Sequence, residues 1–317
     1  MSAYLARRAL SGAIVILAVA AVTFGLLRLV PGGPFTSEKD LPPQVLENLN
    51  ARYGLDDPLP VQLGRVLIGV PTLDFGNSMK FRERSVREVL AQVGPVSLHL
   101  GLQAFAIALV LGLGVGFVSA WRRAERGRAG TGDQALQALV TVGIALPSFV
   151  VGGILIYLFA FQWPVLPPAR WEGPLHTILP SLTLAAAPAA YIARLSRSSL
   201  LDTLSEPFVR TARAKGLTEL AVVVRHAIPG ALYTVITVLG PLLAALVTGS
   251  FIVELIFGIP GMGRFFVTSV TDRDYTVILG ITVLYTAVIV GANLIVDLLY
   301  ALVDPRVRVG EQGGESA

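Results

Sequence analysis

Uninterrupted apolar runs constrain this chain more than anything else in its sequence. A hydrocarbon core about 30 Å thick takes roughly 20 residues of helix, because lipid offers no partner to an unpaired backbone N–H or C=O. Six blocks meet that length: 9–30, 95–121, 135–161, 175–193, 231–257 and 276–303. The fourth is the shortest and holds Pro180 and Pro188, so a kinked helix is expected there. Composition agrees: 54% of the 317 residues are apolar and 15% charged, whereas soluble proteins carry about a quarter charged residues. Mean hydropathy is +0.69. These values predict an all-α polytopic membrane protein and exclude disordered and collagen-like classes.

The charges set an orientation. Segments 1–8, 122–134, 194–230 and 304–317 hold fourteen Lys and Arg, against three (Arg170, Arg264, Arg273) in the opposite loops 162–174 and 258–275. The positive-inside rule then puts both termini in the cytoplasm. The first block stays apolar to residue 30 with Arg28 as its interruption, too long for a signal-peptide core of about 7–15 residues. It reads as a retained anchor, with Arg28 snorkelling to the outer headgroups. Residues 31–94 are polar and long enough for an extracytoplasmic subdomain, with helices over 41–52 and 85–92 and a turn over 54–58.

Several chemistries have no residues to carry them. The chain has no cysteine, so neither a disulfide framework nor a thiolate site is available. His99, His176 and His226 are far apart and form no metal-ligand pair. A P-loop needs Gly-Lys-Ser/Thr, but Lys39, Lys80 and Lys215 follow Glu, Met and Ala. Glycines 112, 114, 116, 143, 152 and 153 would let helices approach closely. Glu254 and Asp297 fall inside apolar blocks, where a carboxylate costs about 2.5–3.5 kcal/mol at the bilayer centre. Neither should face lipid, and each is a candidate for structural pairing or for gating.

The basic stretch after the fourth block is the most specific part of the chain. Ser205 is placed to cap a helix starting at Glu206-Pro207, with Phe208, Ala212 and Leu217 along one side and Arg210, Arg213 and Lys215 over the rest. Gly216 suits a left-handed C-terminal position, and Thr218-Glu219 can start a second helix through Arg225 and His226. The product is a helix–glycine–helix elbow over 200–230.

The spacing Arg210-Thr211-Ala212, three residues, Gly216, nine residues, His226-x-Ile228-Pro229 resembles the EAA loop of ABC importer permeases. Glu206, Phe208, Val209, Thr211, Ala212, Arg213, Ala214, Lys215, Gly216, Leu217, Arg225 and His226 fit the peptide-importer branch of that family. Arg210, Thr211 and His226 depart from the general pattern. Arg52-Tyr53-Gly54-Leu55-Asp56, Asp74-Phe75-Gly76-Asn77-Ser78, Gly258-Ile259-Pro260-Gly261-Met262-Gly263 and Asp304-Pro305-Arg306 are also similar to the B-type (dipeptide, oligopeptide and nickel) permeases. The resemblance covers nearly the whole chain.

That resemblance implies six transmembrane helices in a type I ABC importer permease fold. It implies a bacterial or archaeal inner-membrane protein divided into 1–30, 31–94, a permease core 95–303 and a tail 304–317. It further implies a second homologous permease as heterodimer partner, two cytoplasmic ATP-binding subunits that use ATP and Mg, and an extracytoplasmic substrate-binding protein. The elbow would do the ATPase coupling through Glu206 to Leu217 with Arg225, His226 and Pro229. No cofactor, catalytic residue or nucleic-acid partner is expected of this chain. A channel or secondary transporter would need no ATPase. An intramembrane serine protease would need Ser250 within reach of His99, and it leaves the elbow spacing unexplained.

Overall fold

The computed structural model describes residues 2–35, 42–81, 83–126, 130–248 and 251–303. Among them there is no strand, and one antiparallel bridge joins Asn77 to Ser85. Five helices are long and apolar enough to cross a membrane, or six if one bent pair is a single span. The chain divides into two compact units, residues 1–98 with 260–294 and residues 99–259 with the rest.

In the first unit α1 (Ser2–Leu29) holds the apolar span Ala6–Leu29, with Arg28 in its last turn. α2 (Pro43–Tyr53) and α3 (Leu59–Gly69) each open with proline at the first turn, where its missing N–H leaves no bond unmade. α2 closes on Gly54 in the left-handed conformation at φ 61°. α3, absent from the sequence reading, packs with α1 and α13 through Val66, Leu67, Val70, Ala20 and Val283. α4 (Val86–Arg126) runs unbroken through Pro95, so the short helix and second block expected from the sequence are one element.

Arg28, near the end of α1, has partners within the protein. Its guanidinium lies 5.3 Å from the Phe24 ring centroid and donates to Gln62 Oε1. Gln62, 6% exposed, donates in turn to the carbonyls of Leu55 at 3.0 Å and Asp57 at 2.6 Å. Gln62 on α3 thus ties the end of α1 to the 55–57 turn.

The third apolar block, expected as one crossing, is a bent pair of helices. α5 (Thr131–Ala145) and α6 (Ser148–Ile156, continued by a wide turn to Gln162) meet at 111°. Leu146 is extended (φ −75°, ψ 128°) and Pro147 has no N–H, so the helical ladder stops there. α7 (Pro174–Leu204) instead continues through both of its prolines.

Small residues set the helix spacing in the second unit. A Cβ on Gly112 would lie 2.6 Å from Ile192 Cβ, and one on Gly116 2.6 Å from the Ala193 carbonyl oxygen. Gly143 and Gly152 face Ala190 and Thr183, while Gly114 and Gly153 have open space. Four of the six expected glycines therefore do close packing. α8 (Pro207–Ala214), α9 (Glu219–Val222), α10 (Ile228–Thr248) and α11 (Phe251–Ile256) follow. In the first unit α12 (Met262–Asp272), unforeseen between the last two blocks, precedes α13 (Tyr275–Val303).

Asp274 fixes that junction. Fully buried, it caps α13 by accepting the Val277 N–H at 3.2 Å and the Thr276 hydroxyl at 2.9 Å. It also accepts the Ser78 hydroxyl and the N–H groups of Met79 (3.2 Å) and Lys80 (3.3 Å). One carboxylate thus orders a loop 196 residues away in the chain. Nearby, the Tyr53 phenol donates to the Ser78 carbonyl at 2.8 Å. Burial first, with Asp274 acting in the same direction and Arg52 against it, pushes that phenol up from its ordinary value, so it stays a donor.

Candidate coupling site

The elbow forms as two short helices around one glycine. Ser205 ends α7 in an α-helical conformation, its hydroxyl on the Asp202 carbonyl at 2.7 Å. The N-cap of α8 is instead Glu206, extended at φ −66°, ψ 148°, with no side-chain capping bond. The expected Ser205 cap is corrected by one residue, because α7 carries its helical dihedrals through position 205.

α8 turns a different face inward than the spacing suggested. Val209 is fully buried and Ala212 is 4% exposed, packed with Leu200, Leu204, Val222, Val223 and Ala227. Phe208 and Leu217 remain 48% and 39% exposed. Of the predicted stripe, Ala212 alone faces the core. Val209 and Ala212, at i and i+3, mark the inward face, one position from the larger Phe208.

After α8, Lys215 donates to Thr211 O at 3.1 Å and Gly216 to Arg213 O at 2.9 Å. Gly216 sits at φ 80°, with no heavy atom within 4 Å of an added Cβ. The turn therefore needs glycine for its dihedral angle, with space to spare. Thr218 caps α9, its hydroxyl accepting the Ala221 N–H at 3.4 Å.

Arg213 closes the elbow across the turn. Nη2 and Nε donate to the two oxygens of Glu219 at 2.7 and 3.1 Å, a bidentate pair. The bond to Glu219 leads the causes that hold the guanidinium above its already high ordinary value. With side chains 38% and 43% exposed, the pair contributes about 0.2–1 kcal/mol and serves mainly to fix the angle between the helices.

The remaining candidates fall nearby or apart. Thr211 bonds its own helix at Pro207 O, 3.0 Å away, and Ala214 is exposed at the end of α8. Arg225 is exposed in the wide turn 223–227, and Pro229 is exposed at the start of α10. His226 is half-buried there, with Nδ1 lacking a hydrogen-bond partner among the described residues. Glu254 is fully buried within the second unit, on α11 away from the elbow residues in sequence. Asp297 is half-buried on α13. Ser250 and the tail 304–317 lie outside the described residues, and His99 packs edge-on to Trp171 at 5.5 Å.

Residues 108–309 match the model of the binding-protein-dependent transport system inner membrane component family, and residues 1–80 match that of its N-terminal region. The chain belongs to this family of ABC transporter permeases. It is 42% identical to the dipeptide transport system permease protein DppB of Bacillus subtilis (strain 168) over 99% of this chain and 100% of that one. It is 38% identical to the oligopeptide transport system permease protein OppB of Escherichia coli (strain K12) over 97% and 100%.

A crystal structure of an amino acid ABC transporter with histidines superposes with a TM-score of 0.52 at 20% identity, covering 67% of this chain and 93% of that one. That likeness supports the type I ABC permease fold. Neither the channel or secondary-transporter reading nor the protease reading gains support from any of these matches.

Proposed function

We propose that the chain is the membrane permease subunit of an ATP-driven importer of di- and oligopeptides, and that its elbow couples it to a separate motor. In this reading it forms half of a translocation pathway with a second homologous permease. Two cytoplasmic ATP-binding subunits consume ATP and Mg, and an extracytoplasmic binding protein delivers substrate. Peptide as substrate is supported by the names of relatives 38–42% identical over nearly the full chain.

One observation carries the coupling role: Phe208 and Leu217 stand exposed on the elbow while Val209 and Ala212 anchor it. Large apolar side chains left out of a core, among basic residues, fit a surface that another protein covers. Arg210, Arg213, Lys215 and Arg225 put this elbow in the cytoplasm by the positive-inside rule, with both termini on that side and 31–94 on the other. Thr211, Ala214, His226 and Pro229 then shape the turns beside the docking face. Glu254 and Asp297 act as structural membrane charges held by the fold.

Reconstitution tests the proposal. Vesicles holding this chain with its partner permease, ATP-binding subunits and binding protein should take up labelled dipeptide only with ATP. Uptake by this chain alone, without ATP-binding subunits, would contradict it.

A further inference from the structure

Three helices of the second unit meet at a buried charged junction that the elbow reading does not use. Arg197 on α7 donates from Nη2 to Asp133 Oδ2 at 2.8 Å, in the first turn of α5. Its Nε donates to Ser119 Oγ on α4 at 2.9 Å. The Ser119 hydroxyl donates to Asp133 Oδ1, and the Gln137 amide donates to that hydroxyl at 3.4 Å. The charged side chains are 17% and 8% exposed, and Ser119 is 2% exposed. The serine gives its one hydrogen and accepts with both lone pairs, so the junction has a single satisfied arrangement.

Stability alone does not call for such a pair. Apolar residues of similar volume hold helices together as well as a buried ion pair, whose desolvation offsets most of its attraction. What the pair adds is registry. Elsewhere α5 touches α7 through Val140, Ala190 and Ala193, with Gly143 facing Ala190, a smooth contact of small side chains that permits sliding. Bonds from one guanidinium to both α5 and α4 do not.

The placement of α5 gives that registry a consequence. One end of α5 is the interrupted ladder at Leu146–Pro147, and the other is Asp133. α7, which supplies Arg197, runs on to Leu200 and Leu204, the residues against which Val209 and Ala212 of the elbow pack. We infer that Asp133, Arg197 and Ser119 are positioning residues that make α5 follow α7 when the elbow moves, delivering that motion to the bend at Leu146–Pro147. This rests on the coupling role proposed above.

The test uses the assembled importer in nanodiscs or vesicles. Asp133→Asn should leave assembly and basal ATP hydrolysis intact while peptide uptake per ATP falls about tenfold, within the range of coupling energies between sites. Arg197→Lys, which keeps the charge but loses the fork, should lose less uptake per ATP than Asp133→Asn. If Asp133→Asn does not assemble, Ser119→Ala keeps the ion pair and should show a smaller loss of the same kind.

A distance supplies the readout that a purely structural role would not move. The chain has no cysteine, so spin labels can be placed at exposed Leu139 on α5 and Tyr191 on α7. Their separation should hold within the roughly 1–2 Å of a packed helix shift between nucleotide-free and ATP-trapped states, and should spread in Asp133→Asn. A larger change without the substitution, or normal uptake per ATP in Asp133→Asn and Ser119→Ala, overturns the inference. If Gly216→Pro uncouples transport and Asp133→Asn does not, the junction fails and the elbow stands. If neither uncouples, the elbow reading itself has failed.

Discussion

Gly216→Pro is expected to insert into the membrane normally and to lower substrate-stimulated ATP hydrolysis by about tenfold or more, within the range of coupling between distant sites. The cause is local. Position 216 lies at φ 80°, and proline is locked near −65°. Proline also deletes the N–H that bonds Arg213 O at 2.9 Å and drives Lys215 out of its near-helical conformation. Together these cost roughly 3 kcal/mol or more in a helix of eight residues. α8 should lose its angle to α9, and with it the geometry of Phe208. Gly216→Ala is the control: space is open around an added Cβ, so only the left-handed dihedral costs, about 1–2 kcal/mol. Activity should fall less, as measured by ATP hydrolysis with and without loaded binding protein.

The second large effect concerns stability. Asp274→Ala should destabilise the first unit by roughly 3–5 kcal/mol, since it removes a helix cap and strands buried donors of the 78–80 loop. Asp274→Asn should fall between. Its amide oxygen keeps the cap to Val277, but its NH2 replaces the acceptor that faces the Ser78 hydroxyl and the Lys80 N–H. Thermal unfolding of the purified complex should rank Asp above Asn above Ala. Equal stability of all three would mean that the loop is held by something other than this carboxylate.

Features that depend on a few neighbouring residues were legible in the sequence. Runs of apolar residues gave α1, α4, α7, α10 and α13, because bilayer thickness sets their length. The left-handed Gly216 and the Thr218 cap follow from glycine's missing Cβ and threonine's hydroxyl. What was not legible depends on partners far along the chain. Pro147 breaks a helix while Pro180 and Pro188 do not; proline chemistry is the same in each, so the difference lies in surrounding packing. Asp133 meets Arg197 across 64 residues and Asp274 meets Ser78 across 196, pairings that no local pattern announces. The inward face of α8 centres on Val209 and not on the neighbouring Phe208, which on a helix is a rotation of about 100°.

The most direct measurement places a photo-crosslinking side chain at Phe208, with Leu217 as a second site and Tyr53 as control, in the functional importer. Illumination should join this chain to the ATP-binding subunit from positions 208 and 217 and not from 53. A transport-competent complex that gives no such adduct from either elbow position would contradict the account.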